Sequence, residues 1–182
     1  GNAYYVQLYQ NGGTYGICIA KSTNKGVTWT STYNVSSTTV GLSDKEWIAA
    51  DMTNGPYSNN LYIVWRQFGS TGMRSVRSTD GGANWSEPIA ITTDDAADQD
   101  PAVATDGAGN WVVAWSSDNT LGDIIGNDYD ILFSRSTDNG QTWSTPTFLN
   151  SLAPTSNASD FDVTVVAGGP DIFIAAWDSN AN

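Results

Sequence analysis

The sequence STDNGQTW, from Ser136 to Trp143, decides the fold because it recurs twice earlier in the chain. The earlier copies are STDGGANW at Ser78–Trp85 and STNKGVTW at Ser22–Trp29, so the copies begin 56 and 58 residues apart. Each copy follows a strand-like run that ends in a base. A motif that returns at a fixed period indicates a repeat architecture in which each unit is one supersecondary structure.

A second signal lies between these motifs and keeps the same phase. Apolar runs that end in tryptophan occupy Asn60–Trp65, Asn110–Trp115 and Asp171–Trp177. Another short run precedes each of them, and a weaker run follows each motif. Each repeat of about 57 residues therefore contains four strands, A to D, with the motif in the turn from C to D. Four short strands per repeat are the unit of a β-propeller blade.

The pattern S-x-D-x-G-x-T-W resembles the Asp box, or BNR repeat, of sialidases and related propellers. The likeness covers nearly the whole chain, with Asn24 where the acid is usual and Asn84 where threonine is usual. The resemblance implies an all-β fold, a β-propeller of four-stranded antiparallel blades, of which this chain carries about three. The expected blades are 1–43 (strands B, C and D), 44–95 and 96–156 (all four strands) and 157–182 (strands A and B).

The box residues predict a hairpin device. Asp80 and Asp138 can accept backbone N–H groups across the turn, and a glycine two residues later supplies positive φ. The same turn in every blade favours a structural role over a catalytic one, and in the family the box lies opposite the ligand pocket. The structural set is Ser22, Asn24, Gly26, Thr28 and Trp29, then Ser78, Asp80, Gly82 and Trp85, then Ser136, Asp138, Gly140, Thr142 and Trp143.

Charge and hydropathy exclude several classes of partner. The net charge of −12 disfavours nucleic acids and anionic lipid surfaces. No apolar run reaches the length of about 18 residues that a membrane span requires. We expect a secreted or extracytoplasmic protein, and no signal-peptide pattern follows Gly1, as in a chain whose leader has been removed.

The resemblance implies a ligand pocket at the starts of the A strands and in the loops from B to C. These places are acidic, and two arginines there break the repeat. The ligand-binding candidates are Asp44, Asp98, Asp100, Asp160, Asp162, Arg66 and Arg74. Two plainer interpretations stay open: the acids are solvated loop carboxylates, and the arginines form ion pairs with Asp98 or Asp100.

Two functions are compatible with this set, and neither assigns a catalytic residue. A sialidase needs three convergent arginines, and the chain has four in all, two of them at the repeat position before the box. The first interpretation is therefore a non-catalytic propeller module that binds glycan or protein or acts as a scaffold. The alternative is part of a sialidase-like or neutral-glycan glycoside hydrolase with an incomplete catalytic set, since paired carboxylates roughly 5 to 10 Å apart suffice for acid–base chemistry.

Cofactor and partner expectations follow from the same residues. Histidine is absent and no zinc or phosphate-loop spacing occurs, so no cofactor is expected, and calcium among the acids is the one open case. About three blades cannot close a ring. We therefore expect self-association or further blades, with a ring of two chains as the hypothesis that mass in solution tests.

Overall fold

The computed structural model describes residues 1–30, 32–36, 41–69 and 72–180, and its regular structure is entirely β. No helix in these residues is long and apolar enough to cross a membrane. The strands are β1 (Ala3–Asn11), β2 (Thr14–Ser22), β3 (Tyr33–Asn34), β4 (Ser43–Ala50), β5 (Leu61–Gln67), β6 (Met73–Ser78), β7 (Ile89–Ala90), β8 (Gln99–Thr105), β9 (Trp111–Ser117), β10 (Asp130–Ser136), β11 (Thr147–Phe148), β12 (Asp160–Gly169) and β13 (Ile172–Ser179).

These strands form four antiparallel sheets, I to IV, in chain order. Sheet I has the order β1-β2-β3, sheet II β4-β5-β6-β7, sheet III β8-β9-β10-β11 and sheet IV β12-β13. Strands that follow one another in sequence are neighbours in the sheet, as short connections favour. This up-and-down order is the one expected within propeller blades.

The second strands of sheets II and III form the core. Both β5 and β9 read as almost continuous apolar runs, and nearly every residue in them is buried. A strand that is covered on both faces loses the apolar–polar alternation of a half-exposed sheet. The Tyr62 ring of sheet II packs against the Trp111 ring of sheet III, and their centroids lie 3.5 Å apart. The apolar core is therefore continuous between these two sheets.

The box turns close on themselves through hydrogen bonds. In the third box the Ser136 hydroxyl donates to Asp138 (2.7 Å), and Asp138 accepts the backbone N–H of Thr142 (2.9 Å). The second box repeats this with Ser78 and Asp80, and the first with Ser22 and Asn24. The backbone N–H and side-chain amide of Asn84 hold the pKa of Asp80 at about 2, since they favour its charged form.

The boxes also fasten neighbouring sheets. In sheet I the Lys21 ammonium donates to the carbonyl of Gly81 in the second box (2.6 Å). In sheet II the Arg77 guanidinium donates to the carbonyl of Asn139 in the third box (2.7 Å). The bases before the first and second boxes are thus each bound to the box of the following sheet. Arg135, the base before the third box, lies 3.3 Å from the Asp171 carboxylate instead.

The first strands of sheets II, III and IV lie beside one another and share an irregularity near their starts. The pairing register shifts between Asp44 and Trp47, between Gln99 and Ala102, and between Phe161 and Thr164. One residue in each shift has positive φ: Lys45 (58°), Asp100 (46°) and Asp162 (54°). Such bulges re-aim side chains, and strained non-glycine backbone concentrates at functional sites.

Candidate functional site

The three strained positions meet in one cleft, which encloses about 380 Å³. We call it the first-strand cleft because β4, β8 and β12 supply every wall. Its lining consists of Lys45, Glu46, Trp47, Asp100, Pro101, Asp162, Val163 and Thr164. The bulges therefore bring together residues from three sheets that are more than fifty residues apart in sequence.

The charged groups of the first-strand cleft have different environments. The Lys45 ammonium lies 3.1 Å from the Asp100 carboxylate, and the hydrogen bond between them raises the pKa of Lys45. Burial raises the pKa of the Glu46 carboxyl, because desolvation disfavours its charged form. Asp162 lies near enough to add to the charge stabilisation of Lys45. One cation is therefore shared among several carboxylates.

An exposed indole completes the cleft. Trp47 is 52% exposed, so much of its apolar surface is open to a ligand. Carboxylates accept hydrogen bonds, the lysine donates them, and the indole offers a flat apolar surface. A ligand that has both hydroxyl groups and apolar faces would satisfy all three kinds of group.

The predicted acids separate into two groups. Asp100 and Asp162 line the cleft, and the Asp44 carboxylate accepts the backbone N–H of Lys45 at its border (2.8 Å). Asp98 is buried instead, and it accepts hydrogen bonds from Trp115 Nε1 (2.9 Å) and the Thr92 hydroxyl (3.0 Å).

Asp160 is also buried, and it accepts the Asn150 amide (2.6 Å). Burial raises the pKa of Asp98 to about 6. Asp98 and Asp160 therefore lie outside the cleft, in hydrogen-bonded positions between loops and strands.

The two predicted arginines lie outside the cleft. The Arg66 guanidinium lies over the Phe68 ring, 4.2 Å from its centroid, in a separate depression. Arg74 is partly buried, and desolvation lowers its pKa. The alternative that these arginines pair with Asp98 or Asp100 is wrong, because the partner of Asp100 is Lys45 and neither arginine forms such an ion pair.

Sequence reasoning missed Lys45 and Trp47, and it placed Glu46 among the acids at an A-strand start without making it a ligand-binding candidate. Trp47 lies in the short apolar run before Asn60–Trp65, and a large apolar residue of a strand is usually expected in the core. One signal was available: Lys45 is a base where the matching strands carry Asp100 and Asp162. The part of the chain that the structure describes contains no group of three or more acidic, histidine or cysteine side chains that could hold a metal ion.

Solved structures of similar fold include trans-sialidases and an α-L-arabinofuranosidase. A GH93 α-L-arabinofuranosidase of Fusarium graminearum, in complex with arabinobiose, aligns with a TM-score of 0.66 and 14% identity over 97% of this chain and 53% of its own. The intramolecular trans-sialidase from Ruminococcus gnavus aligns with a TM-score of 0.58 and 16% identity over 91% of this chain and 38% of its own. The leech intramolecular trans-sialidase aligns with a TM-score of 0.58 and 18% identity over 84% of this chain and 22% of its own.

No model of a known protein family and no curated protein matches the sequence. The chain spans between about a fifth and about a half of the length of the three enzymes. At these identities the likeness establishes the fold, and the fold is that of part of a sialidase-like β-propeller. The predicted all-β propeller fold and its likeness to sialidase propellers are thereby confirmed, and the identification of the repeated turns as Asp boxes stays a prediction.

Proposed function

We propose that this portion of a sialidase-like β-propeller binds a neutral glycan in the first-strand cleft and does so without catalysis. The observation that carries the proposal is the exposed Trp47 indole beside hydrogen-bonding carboxylates and a lysine. Sugar rings present apolar C–H faces and a rim of hydroxyls, so an aromatic surface next to acceptors and a donor complements them. Ligand clefts generally combine apolar area with a few placed polar groups in this way.

The charge distribution supports a neutral ligand over an anionic one. None of the chain's four arginines lines the cleft, and Lys45, its one base, is paired with Asp100. Bidentate guanidinium groups are the usual partners of a ligand carboxylate. A sialic acid carboxylate would instead meet Glu46, Asp100 and Asp162, and like charges repel by about 1 kcal/mol at 4 Å in water.

Calorimetric titration of the purified chain with neutral oligosaccharides, beginning with arabinobiose, tests this proposal, with 3'-sialyllactose as the anionic comparison. We expect binding of a neutral sugar and at least a tenfold loss with Trp47→Ala. Trp29→Ala is the matched control, because Trp29 is also exposed (45%) but belongs to the first box. Equal affinity of both variants, or preference for the sialylated sugar, would contradict the proposal.

Glycoside hydrolysis is the second candidate function, and one observation favours it. Burial raises the pKa of Glu46 while Asp100 of the same cleft is bonded to Lys45, so the two carboxyl groups are held in different environments. Glycosidases use such a difference to keep one carboxyl protonated and the other charged. Turnover of arabinobiose that is abolished by Glu46→Gln would establish catalysis and replace the non-catalytic proposal.

A further inference from the structure

The third repeat carries an aspartate where the first two carry glycine. Gly16, Gly72 and Asp130 each lie six residues before the first serine of a box. A Cβ on Gly16 would lie 2.9 Å from the Ser36 hydroxyl, and one on Gly72 would overlap the Thr92 hydroxyl. The first two repeats thus leave no room for a side chain, whereas the third accommodates a carboxylate.

That carboxylate is buried without a hydrogen-bond donor. Asp130 is fully buried, and both of its carboxylate oxygens lack a hydrogen-bond partner. Both carboxylate oxygens of Asp128 are likewise buried and unpartnered. The neighbouring Asp160 differs, because it accepts the Asn150 amide (2.6 Å). Asp128 lies near enough to Asp130 for its charge to act on it, so four carboxylate oxygens without a protein donor belong to one neighbourhood.

Nothing in the described part of the chain neutralises these two groups. The ion pairs there are Lys45 with Asp100 and Arg135 with Asp171, and neither includes Asp128 or Asp130. The carboxylates that act on Asp130 through their charge, Asp128 and Asp160, have the same sign as Asp130 itself. A buried carboxylate pair without a counter-charge opposes folding, because each ion loses its hydration.

We propose that Asp128 and Asp130 bind a divalent cation, with calcium as the fitting ion. The donors are hard carboxylate oxygens, and calcium accepts six to eight oxygen ligands in irregular geometry. Two carboxylates supply at most four of the six to eight oxygen ligands that calcium accepts. Backbone carbonyl oxygens and water would complete the coordination shell. A Cβ on Gly126 would overlap the Asp128 carboxylate and lie 3.6 Å from the Ser156 carbonyl oxygen, so a backbone acceptor lies near the same group.

The site would tie the loop between β9 and β10 to the start of β10. Asp128 belongs to that loop, which also holds Leu121 and Asp123 at positive φ, and Asp130 begins β10. A cation held by both residues would fix the loop beside Asp160, the first residue of sheet IV. This role does not rest on glycan binding, because neither aspartate lines the first-strand cleft.

Calcium titration of the EDTA-treated chain at pH 7.5 tests the site by calorimetry and thermal unfolding, with magnesium in parallel. At calcium one hundred times its Kd, we expect the unfolding equilibrium to shift about 100-fold and the Tm to rise by about 5 to 10 °C. Asp130→Gly, which restores the residue of the other repeats, removes the calcium response. Asp123→Asn, an exposed carboxylate of the same loop, retains it.

A second measurement keeps the inference testable if a variant fails to fold. Tyr129 lies between the two aspartates in sequence, so terbium bound there is expected to show tyrosine-sensitised luminescence that calcium displaces. Absence of calcium heat, of a calcium-dependent Tm shift and of displaceable terbium in the wild-type chain would overturn the site. Greater stability of Asp130→Asn than of wild type in saturating calcium would overturn it as well.

Discussion

The box turns and the starts of the first strands lie at opposite ends of the same blades. The residues at the box end are nearly the same in every repeat, whereas those at the strand starts differ. At the box end the three repeats keep serine, an acceptor and glycine in the same places and make the same hydrogen bonds. At the other end equivalent positions hold Lys45, Asp100 and Asp162, and all three are strained. The constant end joins the blades to one another, and the varied end presents a different set of side chains from each blade to the proposed glycan site.

The largest effect is expected at the constant end, for Gly140→Ala. Gly140 has a φ of 70°, and a Cβ there would overlap the Tyr62 ring of sheet II. Backbone strain and overpacking each cost about 1–3 kcal/mol, so we expect the free energy of unfolding to fall by about 4 kcal/mol in urea denaturation.

Gly122→Ala is the matched control, because Gly122 has a φ of 74° and nothing within 4 Å of a Cβ. Its expected loss is about 1 kcal/mol, from backbone strain alone. If both variants lost the same amount, the contact between the third box and Tyr62 would contribute nothing to the stability of the blade junction.

The second effect concerns Asp98, the buried acid at the varied end. Its pKa is raised from 3.8 to about 6, mainly by desolvation and further by Asp94, so folding favours its protonated form. The resulting stabilisation is complete below pH 4 and is lost as the pH rises through 6. The difference amounts to about 3 kcal/mol.

Asp98→Asn is expected to remove this part of the pH dependence. The amide carries no charge and its oxygen can still accept the Trp115 N–H. Denaturation from pH 4 to pH 8 measures the effect, and the difference between wild type and variant isolates Asp98 because every other acid is unchanged. Parallel stability curves for the two proteins would show that folding does not raise the pKa of Asp98.

The third effect returns to the box. Asp138 accepts the backbone N–H groups of Gln141 (3.0 Å) and Thr142 (2.9 Å), so Asp138→Ala is expected to cost about 2 kcal/mol, as the loss of a helix cap does at most. Asp138→Asn should cost less than half of that, because Asn24 accepts the equivalent N–H of Thr28 (2.9 Å) in the first box. Equal losses for the two variants in chemical denaturation would mean that charge, and not hydrogen bonding, closes the turn.

The difference between the two ends also explains what the sequence could predict. The boxes were predictable because their turn chemistry is local: a short acceptor and a glycine in fixed order require no knowledge of other sheets. The position of the cleft at the A-strand starts followed from the resemblance. The residues that line the cleft could not be predicted in the same way. One extra residue in a bulge changes which side chains face the cleft, and no local sequence pattern marks the bulge. Asp100 and Asp162 were thus grouped with Asp98 and Asp160, which are buried.

The smallest effect on stability, and the most direct test of the cleft, is expected for Lys45→Met. The Lys45–Asp100 pair is partly exposed, with side-chain exposures of 47% and 30%, so its loss should change the free energy of unfolding by less than about 0.5 kcal/mol. Affinity for a neutral glycan should nevertheless fall, because the cleft loses its one cationic donor and Asp100 loses the partner that orients it. Arg135→Met breaks the comparable pair with Asp171 (3.3 Å) outside the cleft and should leave affinity unchanged. Equal glycan affinities of the two variants would mean that Lys45 forms its ion pair with Asp100 but does not contribute to glycan binding. The positive φ angles at the strand starts would then have to be explained by a different ligand.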